Sequence, residues 1–362
     1  MIDLLIRGGH VVTPFDEGDL EIGIEGETIA FVAPPGTVDV EAGRVIDATG
    51  RLVFPGGVEA HAHIHEPMHR GWSQGREEWL QSPEGATRAA LFGGTTTVLS
   101  FAFMNVHVEA QEFDANAAVE HRREIFGARS YADFAFHPVL TGTPSDATLA
   151  SIADAVADGT ATFKFFTTDL TTTQSGIRLD NGSARALLQE CARLGAVAMV
   201  HAEDDELIKY MEAKLKRDGR AQLRNAHLVH TNVGEEVAVR TVAALAEEAG
   251  AAVYFAHVCG APARDAIAAR RAAGQPVYGE ALWDGLCDGR LSTLATDEYT
   301  TSYAVKMAGT DIETTPGGHV GIETRGMIGF SEGVGKHGFS LRRFVEVFST
   351  NPARFDSPVR RS

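Results

Sequence analysis

The stretch Leu52-Val53-Phe54-Pro55-Gly56-Gly57-Val58-Glu59-Ala60-His61-Ala62-His63 decides how the chain is read. It is a short apolar run, broken by Pro and Gly and closed by two histidines. On a strand, residues i and i+2 face the same way, so His61 and His63 converge. Working outward, comparable runs recur at 97–103, 133–140, 162–166, 196–201, 252–257, 276–279 and 291–297, eight with the first. Runs that are apolar throughout, rather than alternating, signal a parallel sheet buried on both faces. Helical stretches separate them. Over 235–249, Ala238, Val242, Leu245 and Ala246 share one face, and Gly250 stops the helix. Ser145-Asp146 stands at an N-cap ahead of Leu149, Ile152 and Val156. Eight strand–helix units predict an α/β fold, a (β/α)8 TIM barrel over 52–354. The first 51 residues differ. Strand-like runs at 4–12, 20–24, 28–32 and 44–47, punctuated by Gly8-Gly9, Gly26 and Pro34-Pro35-Gly36, predict a small antiparallel β unit.

The chain has 362 residues and a net charge of −17, with no basic block. That argues against nucleic acid and anionic membranes as partners. No apolar run approaches the ~20 residues that span a bilayer. The start, Met1-Ile2-Asp3-Leu4-Leu5-Ile6-Arg7, does not read as a signal peptide. Three unpatterned cysteines, Cys191, Cys259 and Cys287, fit a reducing compartment, and the expected location is cytoplasmic.

In a barrel, chemistry sits at the C-terminal ends of the strands. Besides His61 and His63, those ends carry Lys164 in Phe163-Lys164-Phe165-Phe166, His201, His257 and Asp297. Two imidazoles on one face can share a cation; incidental histidines at a strand end are the plain alternative. A lysine among phenylalanines is desolvated, which favours the neutral amine. Such an amine can capture carbon dioxide and become an anionic carbamate able to bridge two metals. The alternative is a lysine that reaches solvent past its neighbours.

These residues sit in stretches that resemble the amidohydrolase superfamily, in the branch of hydantoinases, dihydropyrimidinases, allantoinases and dihydroorotases. The matching segments, in family order, are 54–63, Gly93-Gly94-Thr95-Thr96-Thr97, 163–166, Val200-His201-Ala202-Glu203, Phe255-Ala256-His257-Val258, Ala295-Thr296-Asp297 and Ser349-Thr350-Asn351-Pro352-Ala353-Arg354. The resemblance implies a barrel joined to a small β-sandwich domain, here 1–51 with 355–362 and incomplete. It also implies two divalent metal ions. His61, His63 and Asp297 would hold the first, His201 and His257 the second, and N6-carboxylated Lys164 would bridge them. Zinc suits this donor set, with manganese and cobalt as rivals. The implied reaction is ring opening of a cyclic amide by a hydroxide bridging the metals, with Asp297 moving the proton. The implied partner is a small cyclic amide or ureide, and the implied assembly a homo-oligomer, tetramer or dimer. An allantoinase-like ureide hydrolase is a second reading. A non-catalytic dihydropyrimidinase-related scaffold is a third, and it conflicts with six filled ligand positions.

The chain also departs from the branch. His65 stands where dihydroorotases carry an arginine, and reads equally as a polar contact or a loop residue. Asp169 stands where a tyrosine would face the oxyanion, and Gly317 where an asparagine would read the ring. Gly93-Gly94-Thr95 reads as a tight turn into the second strand. Trp72 and Trp79, flanking Arg76-Glu77-Glu78, read as packing residues rather than pocket lining. Cys259 reads as a small buried residue, and the remaining histidines receive no role. Two spacings are short. Only ten residues, 281–290, separate Glu280 from Leu291, enough for a helix alone. Arg354 runs straight into Phe355, without the strands that would cover the N-terminal sheet edges. Both spots read as omitted segments or true deletions.

Overall fold

The computed structural model describes residues 1–68, 72–73, 77–106, 111–112, 114–169, 176–281 and 283–356. His69, Arg76, His107 and 357–362 lie outside the described residues. Seven parallel strands form one sheet in strict sequence order: Gly57–Glu59, Thr95–Phe103, Asp133–Val139, Thr162–Phe166, Val197–His201, Ala252–Val258 and Val277–Ala281. Helices cross between them, as the alternation predicts. The expected helix over 235–249 runs from Asn232–Ala249, with Thr231 as N-cap and Gly250 left-handed at φ 70°. Ser145 caps Asp146–Ala157 by accepting from the Thr148 amide. No helix among the described residues is long and apolar enough to cross a membrane.

The expected eighth strand takes an irregular form. The segment after 290 touches the seventh strand through one parallel bridge, Glu280 to Thr293. It then pairs Glu298–Tyr299 in parallel with Ala62–His63 beside the first strand, which closes the ring. Side chains satisfy its backbone where ladder bonds are missing. The Thr296 amide donates to Glu59 Oε1 at 3.1 Å, and Arg325 Nη1 donates to the Leu294 and Val58 carbonyls at 2.8 Å each. Buried backbone groups must be paired, so this substitution replaces a ladder.

The first run also divides. Leu52–Val53 pairs with His10–Val12 in a separate three-stranded sheet, and only Gly57–Glu59 enters the barrel. Pro55, which lacks an N–H, and Gly56 separate the two. The run over 4–12 divides likewise at Gly8, φ 77°, into Ile2–Arg7 and His10–Val12 in different sheets. The N-terminal unit is mixed rather than antiparallel, because Ile2–Arg7 pairs with Ala42–Asp47 in parallel. Regular structure runs through both short spots. The seventh strand continues from Glu280 into Ala281, a five-residue helix Trp283–Cys287 follows, and Asn351–Asp356 carries Arg354 into Phe355.

Strand periodicity sorts the core into two layers. On the fourth strand, Phe163 and Phe165 pack outward among the helices, with Val98, Leu187 and Val253. Phe166 packs inward with Phe101, Val139, Met199 and Tyr254. Lys164 shares the parity of Phe166. The turn before the second strand is set by glycines. Gly94 has φ 78°, and a Cβ on Gly93 would meet the Glu323 carbonyl oxygen at 2.3 Å.

Candidate metal centre

All six candidate ligands line one cavity of about 770 Å³ at the C-terminal ends of the strands. His61 and His63 follow the first strand; their Nε2 atoms lie 3.2 and 3.4 Å from Asp297 Oδ1. Each of the three residues offers one ligand atom, and these atoms lie within 4.8 Å of one another. Across the cavity, His201 Nδ1 and His257 Nε2 approach to 2.7 Å. The two groups adjoin: the His61 and His257 rings stack with centroids 5.4 Å apart.

The outward nitrogens are held by carboxylates. His61 Nδ1 lies 2.6 Å from Glu280 Oε1, and His63 Nδ1 lies 2.8 Å from Glu66 Oε2. His201 Nε2 lies 2.8 Å from Glu203 Oε2. A carboxylate on one ring nitrogen fixes the proton there and leaves the opposite lone pair free for a cation. In each of the three pairs the free nitrogen is the one that faces the cavity cluster.

Lys164 is 1% exposed, and its Nζ has no hydrogen-bond partner. The rings that touch it are Phe101 and Phe166, each 5.2 Å from Nζ, rather than the outward-facing Phe163 and Phe165. Burial pushes its ammonium down to about 8, against the pull of Asp297 and Glu280. Burial and the neighbouring His201 push His257 down to about 3. Burial also disfavours charge on His63, but Glu66 and Asp297 outweigh it and lift that imidazole to about 9. Burial raises Glu280 to about 8 despite the Tyr254 hydroxyl, which donates to Oε2 at 2.5 Å.

Backbone strain concentrates here. Among the described residues, three non-glycines have positive φ: His65 at 51°, His257 at 68° and Asp297 at 50°. Two of them are candidate ligands. Such conformations cost energy and persist where the surroundings over-determine them, commonly at functional sites. The donor set of imidazoles and a carboxylate, and a buried amine with no partner in the same cavity, fit divalent cations.

The supporting residues carry no motif of their own in the sequence. Glu66 and Glu203 stood three residues after His63 and two after His201, and Glu280 stood at a strand's C-terminal end. His230, given no role, lies 2.8 Å from Glu203 Oε1 through Nδ1. His137, also given none, is buried with Nε2 3.0 Å from the Ala60 carbonyl, beneath His61. Asp169 does not face the cavity cluster. Its Oδ1 accepts from the amides of Gly176, Ile177 and Arg178 at 3.0–3.1 Å, and its Oδ2 from Lys209 at 2.8 Å. His65 stacks on Trp79, with centroids 5.0 Å apart. Gly317, Trp72 and Trp79 all line the cavity, so the tryptophans do more than pack. Cys259 also lines it and is exposed, contrary to the expected burial, because the Glu235 carboxylate holds its amide at the cavity rim.

Comparison with known proteins agrees with this geometry. The amidohydrolase family pattern matches residues 52–355. The D-hydantoinase of Geobacillus stearothermophilus is 28% identical over 97% of this chain and 79% of its own length. The dihydropyrimidinase of Rattus norvegicus is 28% identical over 97% of this chain and 73% of its own. Among solved structures, the D-hydantoinase (dihydropyrimidinase) from Thermus sp. superposes with a TM-score of 0.86 at 26% identity, covering 97% of this chain and 81% of that one. With most of its length matched by the family pattern, and with the fold and the clustered imidazoles to go with it, this chain belongs to the amidohydrolase family.

Proposed function

We propose that this chain hydrolyses a ring carbon–nitrogen bond of a cyclic amide, in the manner of hydantoinases and dihydropyrimidinases. The observation that carries the reading is the pairing of three cavity imidazoles with three carboxylates behind them, Glu280 and Glu66 buried and Glu203 half-buried, in the cavity that also holds the partnerless amine of Lys164. His61, His63 and Asp297 would hold one divalent cation, and His201 and His257 a second. Zinc suits these donors. Lys164 would bridge as its carbamate: its neutral amine adds to carbon dioxide, one N–C bond forms and one proton leaves. When bound, such cations polarise an amide carbonyl and lower the pKa of water toward neutrality. Asp297 would accept a proton from the attacking water and return it to the ring nitrogen as the C–N bond breaks. The apolar wall of Phe101, Phe103, Phe166 and Ile177 would keep bulk water from the reacting carbonyl.

The same proposal divides the chain into a barrel over 52–354 and a small β unit over 1–51, to which Leu52–Val53 pairs; Phe355, expected in that unit, instead lies in the helix Asn351–Asp356 and packs on Tyr254 and Tyr278 of the barrel. It takes the assembly as a dimer or tetramer. The test is a ring-opening panel of hydantoin, phenylhydantoin, dihydrouracil, dihydrothymine and allantoin, with and without chelator. Turnover abolished by chelator, with about two metals per chain, is expected. Metal-free protein that opens none of these rings, even after zinc and bicarbonate, would sink the reading. Allantoin as sole substrate would redirect it to a ureide hydrolase.

A further inference from the structure

By simple alternation His257 belongs on the other face of its strand. Along Ala252–Val258, Tyr254 and Ala256 pack inward, while Val253 and Phe255 pack outward among the helices. Strict alternation would send His257 outward as well. It lines the cavity instead, and Val258, one position later, packs outward. The register against the seventh strand breaks between Phe255 and Val258, and His257 takes φ 68° inside that break. The left-handed backbone is therefore what turns this imidazole toward His201, 2.7 Å away. A non-glycine residue is strained there, and the strain persists only where the surroundings impose it.

Beyond the break, the next two amides go to a single carboxylate. Glu235 Oε1 accepts from the Cys259 amide at 2.8 Å, and Oε2 from the Gly260 amide at 2.6 Å. Hydrogen bonds to an ionised acceptor are stronger than neutral ones. Glu235 reaches across from the first turn of Asn232–Ala249, a helix end fixed by the Thr231 cap. Gly260 stands at the N-cap of Ala261–Ala272 and has no side chain of its own to cap with. A Cβ on Gly260 would meet Glu235 Oε2 at 2.8 Å, so the glycine leaves room for the carboxylate.

We infer that Glu235 is a positioning residue for the second cation. By holding the amides of Cys259 and Gly260 it fixes the chain that follows His257, and so keeps that imidazole turned into the cavity beside His201. This rests on the reading of His201 and His257 as ligands above and deepens it. Glu235 acts through the backbone, not by contact with the reacting atoms.

The test is a competitive chelator titration with zinc, alongside Tm of the metal-free proteins. Wild type is expected to bind two ions. Glu235→Ala should weaken one of them by about 10–100-fold, as loss of a group behind a metal ligand does, and leave the other within about threefold. Glu235→Gln, which keeps one oxygen for one of the two amides, should fall between. Ser145→Ala removes a helix cap outside the cavity lining and controls for lost stability. It should lower Tm and leave both affinities unchanged. A Glu235→Ala protein that loses Tm in the same way but keeps both affinities would overturn the inference, since Glu235 would then be a helix cap and nothing more. Equal weakening of both ions would overturn it too. Crystal structures of metal-free wild type and Glu235→Ala give a readout that needs no cation: in the variant His257 should leave the left-handed region and its ring should part from His201. Wild type that binds no ion would bring down the parent reading, and these structures would then score the inference alone, an unmoved His257 counting against it. Should Glu235→Ala not fold, Glu235→Gln takes its place in every comparison.

Discussion

Single side chains decide which imidazole nitrogen faces the cavity. Glu203 grips His201 from behind and His230 from the rim, and this carboxylate is held well below its ordinary range; burial opposes that shift, but the two histidines outweigh it. Carboxylates in this position tune metal affinity by about 10–100-fold. Glu203→Ala is therefore expected to weaken metal binding by about that factor in a competitive chelator titration; unaltered affinity would refute the orienting role. Asp169 has a different task. Burial raises its pKa, but Lys209 and the amides of Arg178 and Gly176 outweigh this and leave it depressed. A depressed carboxylate contributes stability above its unfolded pKa of roughly 3.9, and the contribution disappears as pH falls through the lower folded value. Asp169→Asn should cost about 1–2 kcal/mol at pH 7. The gap to wild type, measured by urea unfolding, should narrow below about pH 4. From sequence this residue was visible only as a departure; its partners lie 7 to 40 positions away in the chain.

At the level of elements, the closure of the barrel depends on a buried ion pair rather than on a full strand. Arg325 Nε and Glu59 Oε2 lie 3.3 Å apart, with both side chains essentially inaccessible. Between them they bind backbone groups of the segment that would be the eighth strand. Removing one partner of a buried pair leaves an uncompensated charge, at a cost of about 3–5 kcal/mol. Arg325→Leu should lose that much in denaturant unfolding. Arg325→Leu combined with Glu59→Leu should lose less than the sum of the single changes; strict additivity would show that the pair does not act as a unit. The apolar run at 291–297 was legible, but its ladder was not, because composition does not record which groups complete a hydrogen bond.

For the whole molecule, metal and fold are linked. Ligands from the first strand to the eighth segment meet only in the folded barrel, so a cation bound there stabilises the native state by mass action. At a free metal concentration of 100 times Kd the gain is about 2.7 kcal/mol. Chelation should lower Tm, and zinc should restore it in a concentration-dependent way; a Tm indifferent to both would exclude a site shared across the barrel. Bicarbonate should strengthen the zinc effect in wild type and not in Lys164→Ala, since only the amine can form the carbamate.

The sequence by itself determined the strand–helix alternation, the barrel, and the six polar residues at its C-terminal mouth, because periods of 2 and 3.6 residues and the parity of His61 and His63 are local properties. Tertiary structure alone decided that Glu280 stands behind His61, 219 positions away, and that Lys164 meets Phe101 and Phe166 instead of its sequence neighbours. It also decided that Asp169 turns from the cavity toward Lys209. The reason is physical: local pattern fixes which face of an element a side chain occupies, whereas its partner is set by how the closed sheet brings distant faces together.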